Sequence, residues 1–203
     1  MILVVCALAA ELPGFVRPEG VEVLACGIGP IEAAAETARM LASARFRCAL
    51  NVGIAGAFEG RGRVGEAVVV AEERFAGLTL ESGAALTLPN GSRVVERAHA
   101  DDALLARLAG LPYRIITGLT VATVTSTDET AARLLATYDA DVESMEGFAV
   151  LRACALAGVP ALELRGVSNR VGDRATSGWD FGAGAGAAVK ALGATLARLG
   201  GAS

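Results

Sequence analysis

With 203 residues and a 53% hydrophobic composition, the chain can bury a core without disulfide or metal staples, which excludes a disordered polypeptide. The net charge of -4, from 18 basic and 22 acidic residues, lacks the basic excess of a nucleic-acid-binding protein, so no nucleic-acid partner is expected. No apolar run approaches a bilayer-spanning length, and the apolar start Met1-Ile2-Leu3-Val4-Val5-Cys6 has no basic flank; a cytoplasmic protein without a membrane partner is expected.

In chain order, Met1 to Leu8 reads as a short buried strand and Val21 to Cys26 as a second. Pro30 opens a helix to about Ala44, since Pro suits a first helical turn. Arg47 to Val52 reads as a third strand, ending in Gly53-Ile54-Ala55-Gly56, and Glu66 to Glu72 as a fourth. Ala76 to Val95, punctuated by Gly77, Gly83, Pro89, Asn90 and Gly91, reads as a hairpin or loop excursion. A helix over Asp101 to Leu108 and a β-rich stretch over Tyr113 to Val124 follow. Asp128 to Thr137 reads as a helix with Asp128 as its N-cap. Met145 to Ala157 reads as another, ended by Gly158 and Pro160. Ala161 to Val167 is a strand, and Gly182 to Leu199 a long Ala/Gly-rich helix. Strands alternating with helices, with no linker between them, predict one α/β domain over residues 1–203: three layers, α/β/α, around a central mixed, twisted sheet.

Cys6, Cys26, Cys48 and Cys154 form no CxxC pair, and three of them sit in or beside apolar runs. They read as buried free thiols of a reducing compartment. His99, the one histidine, lies in a polar stretch without an evident partner and reads as a surface residue, against a Ser-His-Asp hydrolase. Small and polar residues gather instead after the apolar strands: Glu11, Gly27-Ile28-Gly29, Gly53 to Gly56, Glu143-Ser144-Met145-Glu146 and Ser168-Asn169-Arg170. Ligands of open α/β sheets bind at such ends. Singly, each has a plainer reading. The glycines make a tight turn, and Glu146 complements a helix dipole.

Taken in order, these segments resemble the nucleoside phosphorylase and nucleosidase superfamily over nearly the whole chain. Val142-Glu143-Ser144-Met145-Glu146-Gly147 resembles its ribose-binding Met-Glu motif, and Arg165-Gly166-Val167-Ser168-Asn169 its base-binding segment. Within it, Met145-Glu146-Gly147, the run Ser168 to Arg174 and Trp179 are most similar to the futalosine hydrolase family of menaquinone biosynthesis. The related methylthioadenosine/S-adenosylhomocysteine nucleosidases usually carry Asp where Asn169 stands.

The resemblance implies cleavage of a purine nucleoside, without cofactor or metal, by a homo-oligomer, a dimer or higher. Glu11, Glu146 and Asn169 are then the expected catalytic residues. Glu11 would orient and deprotonate water as general base. Glu146 would accept hydrogen bonds from the ribose hydroxyls and favour a cationic sugar. Asn169 would donate to the departing base. Met145 would pack on the ribose, with Ser144, Gly53, Ile54 and Ser168 completing the substrate contacts. Ile54, where the superfamily often has Ser, and the lack of a nearby Arg before Arg17 favour water over phosphate as the nucleophile. Arg170, Arg174 and Trp179 are candidates for a carboxylated 5′ substituent, and the loop from Thr123 to Thr130 is expected to reach the site. Adenine nucleosidase, phosphorylase and non-catalytic nucleoside-binding readings remain open at this point.

Overall fold

Alternation along the strands sets the layers. The computed structural model describes residues 1–80, 84, 86–92 and 94–200. On β1 (Ile2–Cys6), Ile2, Val4 and Cys6 join a core with Leu50, Leu162 and Leu164 against Ala188, Ala191 and Leu192 of α5 (Phe181–Gly200). Leu3 and Val5 point the other way, to Ala33 of α1 (Pro30–Ser43) and Val150, Leu151 and Cys154 of α4 (Gly147–Ala157). A period of two thus gives each strand a core on both faces, the requirement of a three-layer α/β/α domain. Each fully buried Leu or Val contributes about 1.5–3 kcal/mol.

β1 pairs in parallel with β2 (Val21–Ala25) and β3 (Cys48–Ala57). β8 (Ala161–Arg170) runs parallel to β3 and antiparallel to β4 (Ala67–Phe75). β4 pairs with β6 (Arg114–Thr120), β6 with β7 (Val142–Ser144), and β7 returns to β3. The mixed sheet therefore curls until five strands, β3-β8-β4-β6-β7, close a ring. Small side chains fill it: Ala55, Ala57, Val68, Val70, Ile116, Val142 and Val167. Its open edge carries β5 (Arg97–His99), antiparallel to β4.

The predicted elements recur with shifted ends. β3 runs on through Gly53 to Ala57, and β8 through Ser168 to Arg170, because each has a neighbour to pair with past the expected stop. α3 (Asp128–Tyr138) is capped by Thr127, not Asp128. Thr127 Oγ1 accepts from the Thr130 N–H at 3.2 Å, while the Asp128 carboxylate accepts from Arg170 and the Asp173 N–H instead. α4 begins at Gly147, so Met145 and Glu146 precede it. α2 (Asp102–Arg107) is capped by Asp101. The predicted excursion over 76–95 falls partly on residues 81–83, 85 and 93, Gly83 among them, which lie outside the described residues; the tail of the expected hairpin is followed by β5. His99 is exposed as expected but has a partner, Glu72 Oε2, at 3.8 Å from Nδ1.

α5 packs on β8 closely enough to require glycine. A Cβ on Gly166 would lie 1.9 Å from the Gly184 carbonyl oxygen. All four cysteines are buried and free. Among the described residues, no helix is long and apolar enough to cross a membrane.

Candidate active site

Glu11 ends a 3₁₀ turn (Ala9–Glu11) just past β1, and its side chain folds back under the sheet edge. Its Oε2 accepts from the backbone N–H groups of Ala7 at 2.9 Å and Leu8 at 3.1 Å, and its Oε1 from that of Ile54 at 3.0 Å. Both lone pairs of Oε2 are engaged, while Oε1 keeps one. The approach needs Gly53: a Cβ there would lie 2.7 Å from Glu11 Oε1 and 2.6 Å from Arg165 Nη1.

Glu146 is held in a similar way from the other side. Its Oε1 accepts from the Gly29 N–H at 2.9 Å. Gly29 has φ 93°, in the region that favours glycine, and so aims its N–H out of the turn before α1. The Gly27-Ile28-Gly29 turn thus serves a carboxylate of this chain. Burial raises the Glu146 pKa above the ordinary 4.5, against the opposing pull of Arg165 and the Gly29 N–H. Arg165, 1% exposed, lies behind both glutamates. Its Nη1 is 3.9 Å from Glu146 Oε2 and donates to the Ile54 carbonyl at 3.3 Å. Burial works against its charge, but Glu163, Glu146 and Glu11 outweigh that and hold its pKa above the ordinary value.

Glu11 and Glu146 open onto one cleft of about 300 Å³ whose walls are mainly apolar. Ile54, Ser144, Met145, Ser168 and Asn169 also line it. Gly53 does not; it sits behind, as the gap that admits Glu11 and Arg165. The Ser168 hydroxyl donates to Asn169 Oδ1 at 2.8 Å, and Asn169 Nδ2 donates to the Arg170 carbonyl at 2.9 Å. This orients the amide and leaves one N–H of the NH2 group for a ligand. Arg174 and Trp179 line the cleft, stacked with the guanidinium carbon 4.9 Å from the ring centre. Arg170 does not line it; it is paired with Asp128 at 3.0 Å and Glu59 at 3.3 Å.

Sequence reasoning did not single out three contributors. Glu143 lines the cleft, and its Oε1 accepts from the Thr125 N–H at 3.1 Å while Oε2 accepts from the Thr125 hydroxyl. Burial raises its pKa, against these hydrogen bonds. That carboxylate brings Val124 and Thr125, part of the loop left unregistered by the sequence, to the cleft. Arg165 was visible only as a motif letter, yet charges at Glu163 and Arg165, alternating with Leu162 and Leu164, mark a strand with a polar buried face. Phe181, at the start of α5, had no signal. Among the described residues, no group of His, Cys, Asp and Glu has the arrangement to hold a metal ion.

A model of the phosphorylase superfamily matches residues 18–199. The futalosine hydrolase of Thermus thermophilus is 38% identical over 189 residues, covering 90% of this chain and 84% of that protein. In three dimensions, the 5′-methylthioadenosine/S-adenosylhomocysteine nucleosidase of Helicobacter pylori, solved with butyl-thio-DADMe-Immucillin-A, superposes with a TM-score of 0.83 at 17% identity, over 96% of this chain and 97% of that one. The futalosine hydrolase of Helicobacter pylori does so with a TM-score of 0.82 at 17% identity, over 96% of each. At such identities these two structures speak for the fold, and the Thermus sequence for the closer kinship. The chain belongs to the phosphorylase superfamily and, within it, to the futalosine hydrolase family.

Proposed function

We propose that this protein hydrolyses futalosine, as its Thermus relative is named for doing, and that the reaction breaks the N-ribosidic bond to release hypoxanthine and dehypoxanthine futalosine in menaquinone biosynthesis. The observation that carries the chemistry is the pair of backbone-held carboxylates, Glu11 and Glu146, on one apolar cleft. N-ribosidic cleavage passes through an oxocarbenium-like sugar. Glu11, through the lone pair left on Oε1, orients a water and takes its proton. Glu146 accepts from the ribose hydroxyls, and its charge lies where the sugar becomes positive. Met145 covers the apolar ribose face. The free Asn169 N–H donates to the base, which Asn cannot protonate.

Water fits this cleft better than phosphate. Glu11, Glu143 and Glu146 line it against the one guanidinium of Arg174, and Arg165 is engaged with carboxylates behind. The stacked Arg174 and Trp179 are suited to a carboxylated aromatic substituent at the 5′ end. Incubation with futalosine in phosphate-free buffer, followed by chromatography for hypoxanthine, tests the reading. No release at high enzyme concentration sinks it, and adenine released from methylthioadenosine in its place makes the protein an adenine nucleosidase.

A cytoplasmic homo-oligomer completes the proposal. α1 and α4 leave an apolar face containing Ile31, 81% exposed, and Leu156, 72% exposed, which a second copy would cover. Light scattering of a monomer at micromolar concentration contradicts this part.

A further inference from the structure

Beneath Glu146 lies a second pair of carboxyl groups that the proposed reaction does not use. Glu73 of β4 and Glu163 of β8 are each 0% exposed. Both crowd the first residue of α4: a Cβ on Gly147 would lie 2.4 Å from Glu73 Oε1 and 2.6 Å from Glu163 Oε1. Each has one well-defined outer partner. Glu163 Oε1 accepts from Arg165 Nε at 2.8 Å, and Glu73 Oε2 accepts from the Thr120 hydroxyl at 2.7 Å. Thr120 Oγ1 accepts in turn from the Phe148 N–H at 2.7 Å, inside the first turn of α4. Among the described residues, Glu73 Oε1 and Glu163 Oε2 have no donor.

The two Oε1 atoms converge on the same space beside Gly147, so the carboxyl groups face each other there, shut off from bulk solvent. Two carboxylates buried this close together repel one another, and a proton on one of them removes that repulsion. The surrounding charge agrees. Glu163, Glu146 and Glu11 act on the single guanidinium of Arg165, which Glu73 also feels, and an uncompensated buried charge is costly. Among the described residues, the ionisable groups acting on Glu73 are Glu163 and Arg165, both from β8, while β6 and α4 bring Thr120, Gly118 and Gly147 against it.

We propose that Glu73 is a neutral carboxylic acid donating its proton to Glu163, and that the two are positioning residues for the cleft. Glu163 holds Arg165 where it meets Glu146 and the Ile54 carbonyl. Glu73, through Thr120, holds the turn of α4 that carries Glu146. The protonated partner keeps the pair from adding a further negative charge behind Glu11 and Glu146. Burial beside Glu163 raises the Glu73 pKa well above the ordinary 4.5, which fits this state.

Only the catalytic consequence rests on the proposed hydrolysis, so the test has two arms. Difference infrared spectroscopy of the parent against Glu73→Gln at neutral pH should show the carbonyl band of a protonated acid, shifted in heavy water and lost in the variant. A parent without that band overturns the proposal, whatever the enzyme's substrate. In kinetics, Glu73→Gln keeps a donor and the site charge, so kcat/KM should stay within about threefold and its acidic limb should not move, whereas Glu163→Gln should lower kcat about tenfold or more. An acidic limb displaced to lower pH in Glu73→Gln would mean that a negative charge was removed, and would overturn the neutral state. Glu163→Gln with an unchanged kcat would overturn the positioning role.

Discussion

Three backbone N–H groups hold the carboxylate of Glu11 and one holds that of Glu146, so neither depends on a flexible partner side chain for its direction. Glu11→Gln keeps the side chain's shape but sets its NH2 against a backbone N–H, and should lower turnover about a hundredfold or more, the usual weight of a general base. Equal turnover in that variant, read beside the dissociation constant of a bound product, would remove Glu11 from the reaction. In the proposed reaction Glu146 acts as the charged carboxylate, and burial raises its pKa, so activity should fall with falling pH through a value above 4.5. A kcat/KM profile flat to 4.5 contradicts this. The sequence made both glutamates legible because each stands in a family motif, and Glu11 also follows a recognisable apolar strand. It did not reveal Gly53 as the gap between Glu11 and Arg165, since a glycine at a strand end looks the same whether it touches a ligand or admits another side chain.

At the scale of elements, the site depends on how strands end. Ser168 and Asn169 belong to β8, and Ile54 to Gly56 belong to β3, so this wall of the cleft is hydrogen-bonded sheet and not loop. The longer strands were readable from apolar runs, but their order in the sheet and their extensions past Val52 and Val167 were not, because neither extension is apolar enough to announce itself. The closure of five strands into a ring was hidden for a related reason: it follows from β7, three residues long, pairing with both β3 and β6. The contact of α5 with β8 offers a direct probe. Gly166→Ala would set a methyl against the Gly184 backbone, which cannot rotate away, and should destabilise the protein by about 1–3 kcal/mol. Urea unfolding with an unchanged midpoint would show that the two elements separate readily.

Across the whole molecule, buried charge couples stability to pH. The Glu73 pKa is raised in the folded state, so the folded chain binds a proton that the unfolded chain releases above about 4.5. Its contribution is therefore fully present below that value and is lost as pH rises toward the folded pKa. Glu73→Gln should gain stability relative to the parent as pH rises from 4.5, and a melting-temperature difference independent of pH would contradict the sign. The most direct test of the central claim is futalosine turnover in heavy-oxygen water, run with and without phosphate. The expected result is hypoxanthine released at equal rates in both, with the heavy oxygen on the anomeric hydroxyl of the ribosyl product. Release that requires phosphate and yields a sugar phosphate would contradict the account.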